Sequence, residues 1–535
     1  MGNAMIGWFR LGVFLSAGVV SASAVAQGRV AALDNALILN EDDSHFFSSR
    51  ESDAMSREGL DAFIDQYAGT AVTHLFLCPN AMRASFRSRT REAIWDPVDG
   101  RSPSNRWVDN ARSLHENGLD PYAVWIARCR EKGISPWLSM RMNDIHSVDE
   151  PNSFMHSSFW REHPEFWRVP NGSASPWQNR AMNYAHAEVR AHQMAFVQEL
   201  LERYDPDGLE LDWMRFGWHL TPGREKEEGA CLTEFVRDVR ALVKAWTTRR
   251  GHPIGLGVRV PAHPDAAALL GMDGVQWAKD GLVDLLVPCP FWSSSDFDIP
   301  VELWKERLGS AAANVVVAPG LEYNARPWPG GQAAANTLAS AYGFAASALA
   351  RGADALYLFN WMDSETRPVP AESYRRLVER GLKADVVGRA ERRHPVCYRD
   401  TVPSGFPNGA VLPAEGPEGR EFRIHIGRAP AFGRVELIVG LAQRDGVSTA
   451  AFHVEINGVE APSADDLQET TDLGGDPARA VRFLCPPPTV RDGYNTVRIV
   501  QTPGQPPQRI VWVELRIDPT AEQQPATIRE DHPVK

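Results

Sequence analysis

Beyond residue 26 this 535-residue chain has no apolar run long enough to cross a bilayer, so no membrane span is expected. It has no basic excess either. Its 56 Lys and Arg face 68 Asp and Glu, for a net charge of −12. A nucleic acid partner calls for the opposite surface and is excluded. Cysteine is sparse, and none of Cys78, Cys129, Cys231, Cys289, Cys397 and Cys485 stands in a CxxC or in a Cys/His cluster of zinc spacing. Four of the six sit in apolar or helical surroundings and read as small buried hydrophobes. Cys397 and Cys485 share the C-terminal region, and their pairing in an oxidising compartment is left open by the sequence. There is no internal repeat of solenoid period, and no Gly-rich phosphate loop follows the first apolar run. No cofactor or resident metal is expected.

What is present begins with a leader. MGNAMIGWFRLGVFLSAGVVSASAVAQG carries one cation, Arg10, then an apolar stretch, then small residues. Ala22-Ser23-Ala24 and Ala24-Val25-Ala26 both suit small-x-small cleavage. Residues 1–26 therefore read as an export signal cut near Ala24 or Ala26, and the protein as secreted or periplasmic. No cysteine follows the cut, so no lipid anchor is indicated. The 17 Trp suit either a large aromatic core or flat platforms for sugar rings.

From residue 36, eight short apolar runs alternate with amphipathic stretches: 36–42, 73–79, 134–143, 207–213, 253–261, 283–292, 314–323 and 355–361. Helical patterns such as HAEVRAHQMAFVQELLERY and CLTEFVRDVRALVKAW lie between them. Eight strands alternating with helices predict an α/β fold, a (β/α)8 TIM barrel over residues 30–385. An open doubly wound sheet is the alternative, and the missing phosphate loop weighs against it. Two connections, 79–118 and 144–184, are long, and each leaves the C-terminal end of a strand, where barrels build their sites. After residue 385 short alternating runs separated by Gly, Pro, Asn and Asp predict an antiparallel β-sandwich of jelly-roll type over 386–520. Residues 521–535 read as a polar, flexible tail.

The fourth run, GLELDW, sets Leu209 and Leu211 on one face and Glu210 and Asp212 on the other. With the leucines toward the helices, both carboxylates enter the barrel, Asp212 at the lip and Glu210 one layer deeper. Glu210 is expected to pair inside the barrel with Arg141 or Arg259. The seventh run ends on Glu322 and Tyr323, across the mouth from the fourth. Asp212 and Glu322 are the expected catalytic pair, because glycosidic cleavage needs one carboxyl as acid and another as nucleophile or base. The other strand ends supply a ring expected to bind substrate: Glu210, Arg141, Asn143, His146, Trp213, Arg215, Arg259, Trp292, Tyr323, Asn360 and Trp361. Trp faces can stack on pyranose rings while polar groups hold hydroxyls. Arg83, Arg87 and Arg89 add cations to the loop after the second run, so an anionic glycan is one expectation and internal neutralisation the other. Asp42, Asp43 and His45 end the first run, where N-capping of the next helix is favoured over metal binding.

REHPEFWRVPNG through MNYAHAEVRAHQMAFVQELLERYDPDGLELDWMRF, with KGISPWLSMR, VDLLVPCPFW and ADALYLFNW, resembles the secreted bacterial glycosyl-hydrolase-like (β/α)8 barrels described as family-ten-like. The likeness spans most of residues 35–365. It implies a carbohydrate-active barrel with acidic residues at the fourth lip, here Asp212. The chain departs from that pattern in having Trp213 where a second Asp is usual, and Met182-Asn183-Tyr184 where Leu-Asn-Pro is usual. The expected function is an exported glycoside hydrolase acting on an oligo- or polysaccharide. The alternatives are a non-catalytic carbohydrate-binding barrel and a metal-assisted hydrolase built on Asp42, Asp43 and His45.

Overall fold

The computed structural model describes residues 33–172, 176–291, 293–363, 371–401, 408–416, 419–443, 451–467 and 469–520. The leader, the C-terminal tail and Trp292 lie outside the described residues.

The barrel strands are β1 (Leu37–Glu41), β2 (His74–Leu77), β3 (Ser135–Arg141), β4 (Gly208–Asp212), β5 (Gly255–Pro261) and β6 (Leu285–Cys289). They continue with β7 (Val316–Val317), β8 (Gly320–Leu321) and, after a two-stranded hairpin of β9 (Asn324–Ala325) and β10 (Ala334–Ala335), β11 (Leu356–Leu358). The parallel order is β7-β6-β5-β4-β3-β2-β1-β11-β8. β7 and β8 are two halves of the seventh run, which the sequence reading had as one strand. Pro319 parts them, because it has no N–H to donate to a ladder. The first half pairs with β6 and the second with β11. The ring therefore closes through the broken strand, and the fold is the (β/α)8 barrel.

Strand parity sets what each face meets. Leu209 and Leu211 are buried in one cluster with Val197 and Leu200 of helix Ala187–Arg203 and with Val236 and Val239 of helix Ala230–Arg250. A separate interior cluster, including Ile38, Phe76, Trp137, Leu285 and Tyr357, fills the lower barrel. Trp137 stacks on Phe76 with centroids 4.8 Å apart. Gly208 makes room for it: a Cβ there would fall 2.3 Å from the indole. With the lower barrel filled, polar side chains are left to the upper layers, toward the C-terminal mouth.

Ten further strands form the C-terminal unit. β12 (Arg392–Pro395), β13 (Ala414–Glu415), β15 (Arg434–Leu441), β18 (Ser463–Asp466), β19 (Arg479–Cys485) and β21 (Arg509–Asp518) make one antiparallel sheet. β14 (Arg420–His425), β16 (Phe452–Ile456), β17 (Val459–Glu460) and β20 (Tyr494–Gln501) make the other. Between them lies a core that includes Phe422, Val439, Val454, Val497 and Val513. The outer face of one sheet is shared with the barrel, since Ile438, Leu473, Ala480 and Trp512 join the barrel's own cluster. Arg351 of the barrel bonds Tyr494 Oη at 2.7 Å, and that hydroxyl donates to Asp298 at 2.6 Å. Cys485 lies in the sandwich core while Cys397 packs against the barrel cluster, and both are free thiols. Among the described residues no helix is long and apolar enough to cross a membrane.

Candidate active site

The carboxylate of Asp212 is fully engaged. The N–H groups of Met214 and Arg215 donate to Oδ1 at 3.0 and 2.9 Å, and Arg259 Nη1 donates to Oδ2 at 2.7 Å. Two backbone donors from the turn after β4 and one guanidinium from β5 thus fix the lip acid. Arg259 is itself buried, its guanidinium 3.6 Å from the Phe359 ring centroid. Cys289 at the end of β6 lies among Arg259, Asp212 and Glu322, and burial pushes its thiol up to about 12. The Asp212 and Glu322 charges thus both act on Cys289.

Glu210 sits one layer below and is fully buried. Its expected pairing with Arg141 or Arg259 is not made. Ser139 Oγ and Tyr357 Oη donate to Oε2 at 2.5 and 3.0 Å instead. These are neutral donors, one from neighbouring β3 and one from β11. Burial, then the Asp212 charge, pushes Glu210 up to about 8. A carboxyl raised in the fold favours the native state below its unfolded value near 4.5 and loses that advantage as pH rises through about 8. Glu210→Gln, which keeps the neutral form, should flatten this slope. We expect the variant to gain on the wild type between about pH 5 and pH 9 by several kcal/mol, read by urea unfolding at both pH values. An unchanged slope would mean that Glu210 is ionised in the fold.

A second network joins β1 to β3. Arg141 Nη2 reaches Asp42 Oδ2 at 2.5 Å and Asp43 Oδ1 at 2.8 Å, and Nη1 reaches Asp144 Oδ2 at 2.9 Å. Asp144 Oδ1 takes His146 Nδ1 at 2.8 Å, and His146 Nε2 lies 3.0 Å from Arg215 Nη2. Burial drives all three acids up. The Arg141 and Arg215 charges outweigh it at Asp42, and the His146 and Arg141 charges at Asp144, so both end below the usual carboxylate range. Asp43, deepest in the cluster, ends well above it because burial dominates there. Asp42 does not cap the following helix. Its Oδ1 accepts from Ser44, while His45 Nδ1 bonds Glu41. Asp42 and Asp43 thus share Arg141 while His45 turns to Glu41, so the three do not converge.

At the seventh strand Glu322 follows β8 directly. Its carbonyl accepts from Ser295 Oγ at 2.9 Å and Asn336 Nδ2 at 2.7 Å, and its Oε2 accepts from Asn360 Nδ2 at 3.4 Å. Asn360 adopts the left-handed region, φ 59°, which turns the chain sharply after β11. Above these groups a cavity of about 370 Å³ opens, lined by His146, Trp177, Arg215, Phe216, Tyr323 and Asn360 among others. Asn360 connects it to Glu322, and Arg215 connects it to Asp212. Another cavity, of about 400 Å³ around Trp137, Asp207 and Arg240, lies at the opposite end of the barrel, away from the face where such barrels carry chemistry.

Of the expected ring, then, His146, Arg215, Tyr323 and Asn360 meet at this cavity. Others do not. Trp213 is wholly buried against Tyr184, His219, Phe235 and Trp277, on the helix side of β4. Trp361 is buried in the same cluster. Asn143 ties two loops together, donating to the carbonyls of Met182 and Trp218 at 3.0 and 2.9 Å. Arg141 and Arg259 neutralise internal acids. Arg83 holds the carbonyls of His156 and Asp96, Arg87 pairs with Asp96 and Arg89 with Glu202. These loop arginines do not form a cationic ring at the mouth. Trp177 and Phe216 were missed, although the aromatic richness of loop 144–184 pointed to that wall.

No family model matches the chain, and no curated protein matches it. Solved structures do. A cycloisomaltooligosaccharide glucanotransferase from Paenibacillus sp. is 10% identical over 90% of this chain and 57% of that one, with a TM-score of 0.34. α-L-Fucosidase isoenzyme 2 from Paenibacillus thiaminolyticus is 13% identical over 65% of this chain and 48% of that one, with a TM-score of 0.40. The endo-β-1,4-mannanase from Thermotoga petrophila is 12% identical over 90% and 97%, with a TM-score of 0.39. The chain spans about half the length of the first two. At such distances no substrate or residue role carries over.

Proposed function

We propose that the protein is a glycoside hydrolase, exported by its leader, working at the C-terminal mouth of the barrel with Asp212 and Glu322 as the acting carboxyls. The observation that carries the reading is the mouth cavity, which reaches one carboxyl through Arg215 and the other through Asn360. Three donors surround Asp212, a setting matched to a carboxylate that faces developing positive charge at the anomeric carbon. Glu322, whose Oε2 accepts from the neutral amide of Asn360, is the acid. The glycosidic C–O bond breaks, the proton of Glu322 goes to the departing oxygen, and water restores it while its oxygen joins the anomeric carbon. Trp177 and Phe216 supply apolar faces for the ring, and His146, Tyr323 and Asn360 supply polar groups for hydroxyls.

The test is release of reducing ends from a panel of glycans by the wild type and by Glu322→Gln. We expect turnover on at least one glycan, with a loss of about a hundredfold or more in the variant. If Glu322→Gln binds and turns over as the wild type does, Glu322 is not the acid. Sugar binding by the wild type without any turnover would instead favour a carbohydrate-binding barrel, a reading to which the near-complete burial of both carboxyls, 2% and 1% exposed, lends support.

A further inference from the structure

We infer that the mouth cavity is one segment of a longer cleft that seats several units of an uncharged glycan chain, one of which is cut there. The inference rests on the hydrolase reading for the cut, and on geometry alone for the cleft. A second cavity of about 810 Å³ adjoins the first, and the two share Ser147 and Asp149 in their walls. It runs between residues 98–105 and 147–154, parts of the two long connections after β2 and β3. Ser147 adopts φ 54°, so the loop turns at the junction of the two spaces. A chain that reaches from one into the other sets its reacting unit in the first cavity, above the carboxyls, and its further units in the second.

The lining says what kind of chain fits. Ser102 and Asn152 offer neutral donors and acceptors suited to hydroxyls, and Asn105, whose Oδ1 caps helix Arg106–Glu116, offers its amide N–H. The charges there largely cancel. Asp149 pairs with Arg180, and Asp99 lies 3.5 Å from Arg161. Glu150 and Arg101 remain, one of each sign. A uronate or sulfated chain would need a row of cations. The arginines of the loop after β2 that could have formed one, Arg83, Arg87 and Arg89, are bound to carbonyls and carboxylates elsewhere.

The test uses the full chain with reducing-end-labelled gluco-, manno- and xylo-oligosaccharides from disaccharide to hexasaccharide, read for both turnover and quenching of Trp fluorescence. We expect kcat/KM to rise about tenfold or more from disaccharide to hexasaccharide, since remote binding energy is spent at the reacting bond. Asn152→Trp, which fills the outer space, should collapse the hexasaccharide-to-disaccharide ratio, and Asn105→Trp on the opposite wall should do the same. Turnover that is independent of length overturns the cleft. A matching rise on oligogalacturonates overturns the charge assignment. Binding that tightens with length without turnover sustains the cleft and overturns the hydrolase reading. Neither binding nor turnover on any of the series overturns both.

Discussion

Replacing Asp212 by Asn should lower turnover by about a hundredfold or more and should also cost about 3–5 kcal/mol of stability. The sequence predicted only the first effect. The second follows from the partners. Asp212 accepts from two backbone N–H groups and from Arg259, which is buried and would be left as an uncompensated charge. A carboxamide cannot restore this arrangement. Its NH₂ must face either the guanidinium or the two N–H groups, setting donor against donor. The two effects separate experimentally. Urea unfolding gives the stability loss, and initial rates taken well below the variant's melting temperature give the chemistry. A folded variant with near-normal rates would remove Asp212 from the reaction. An unchanged stability would mean that Arg259 finds another partner. The double variant Asp212→Asn/Arg259→Met distinguishes the two contributions, because it removes the stranded charge and should recover most of the stability while leaving turnover low.

The barrel was legible because its signal is periodic. Leu209, Glu210, Leu211 and Asp212 alternate, and β4 places them on opposite faces as alternation requires. The same parity, carried one step further, puts Trp213 on the leucine side, where it is buried among helix residues. Counting it toward the substrate ring ignored that step. The break in the seventh strand was also written in the chain, since Pro319 sits in the middle of VVVAPGLEY. The use of Arg141 and Arg259 inside the barrel was one expectation, and Arg259 does neutralise Asp212, but the partner of each arginine was not legible. Arg141 meets Asp42 across 99 residues and Arg259 meets Asp212 across 47, and neither separation has a local signature. The identity of each pair is decided by which strand ends the closed ring brings together, and by the cost of leaving a buried charge alone. Overall negative charge therefore gave no guide to where the arginines are used.

That cost makes Arg141 the most consequential of the arginines. One guanidinium serves Asp42, Asp43 and Asp144, all buried. Arg141→Met keeps the bulk of the side chain and removes the charge, so three carboxyls lose their shared partner. We expect a loss of about 3–5 kcal/mol at neutral pH. Its pH dependence follows from the directions of the shifts. In the wild type Asp42 and Asp144 are held below the usual carboxylate range. Their contribution is present above the unfolded value near 4 and fades as pH falls through their folded values. Asp43 is raised, so its contribution is present at low pH and fades as pH rises through its folded value. Without Arg141 all three move upward and protonate on mild acidification. The gap between variant and wild type should therefore be widest near pH 8 and should shrink by about half or more by pH 4.5, where the unpaired acids become neutral. Urea unfolding of both proteins across this range measures it. A gap that does not change with pH would mean that Arg141 acts by packing alone. Adding Asp144→Asn to the Arg141→Met variant removes one of the stranded charges, and it should restore stability at pH 8 while changing little at pH 4.5.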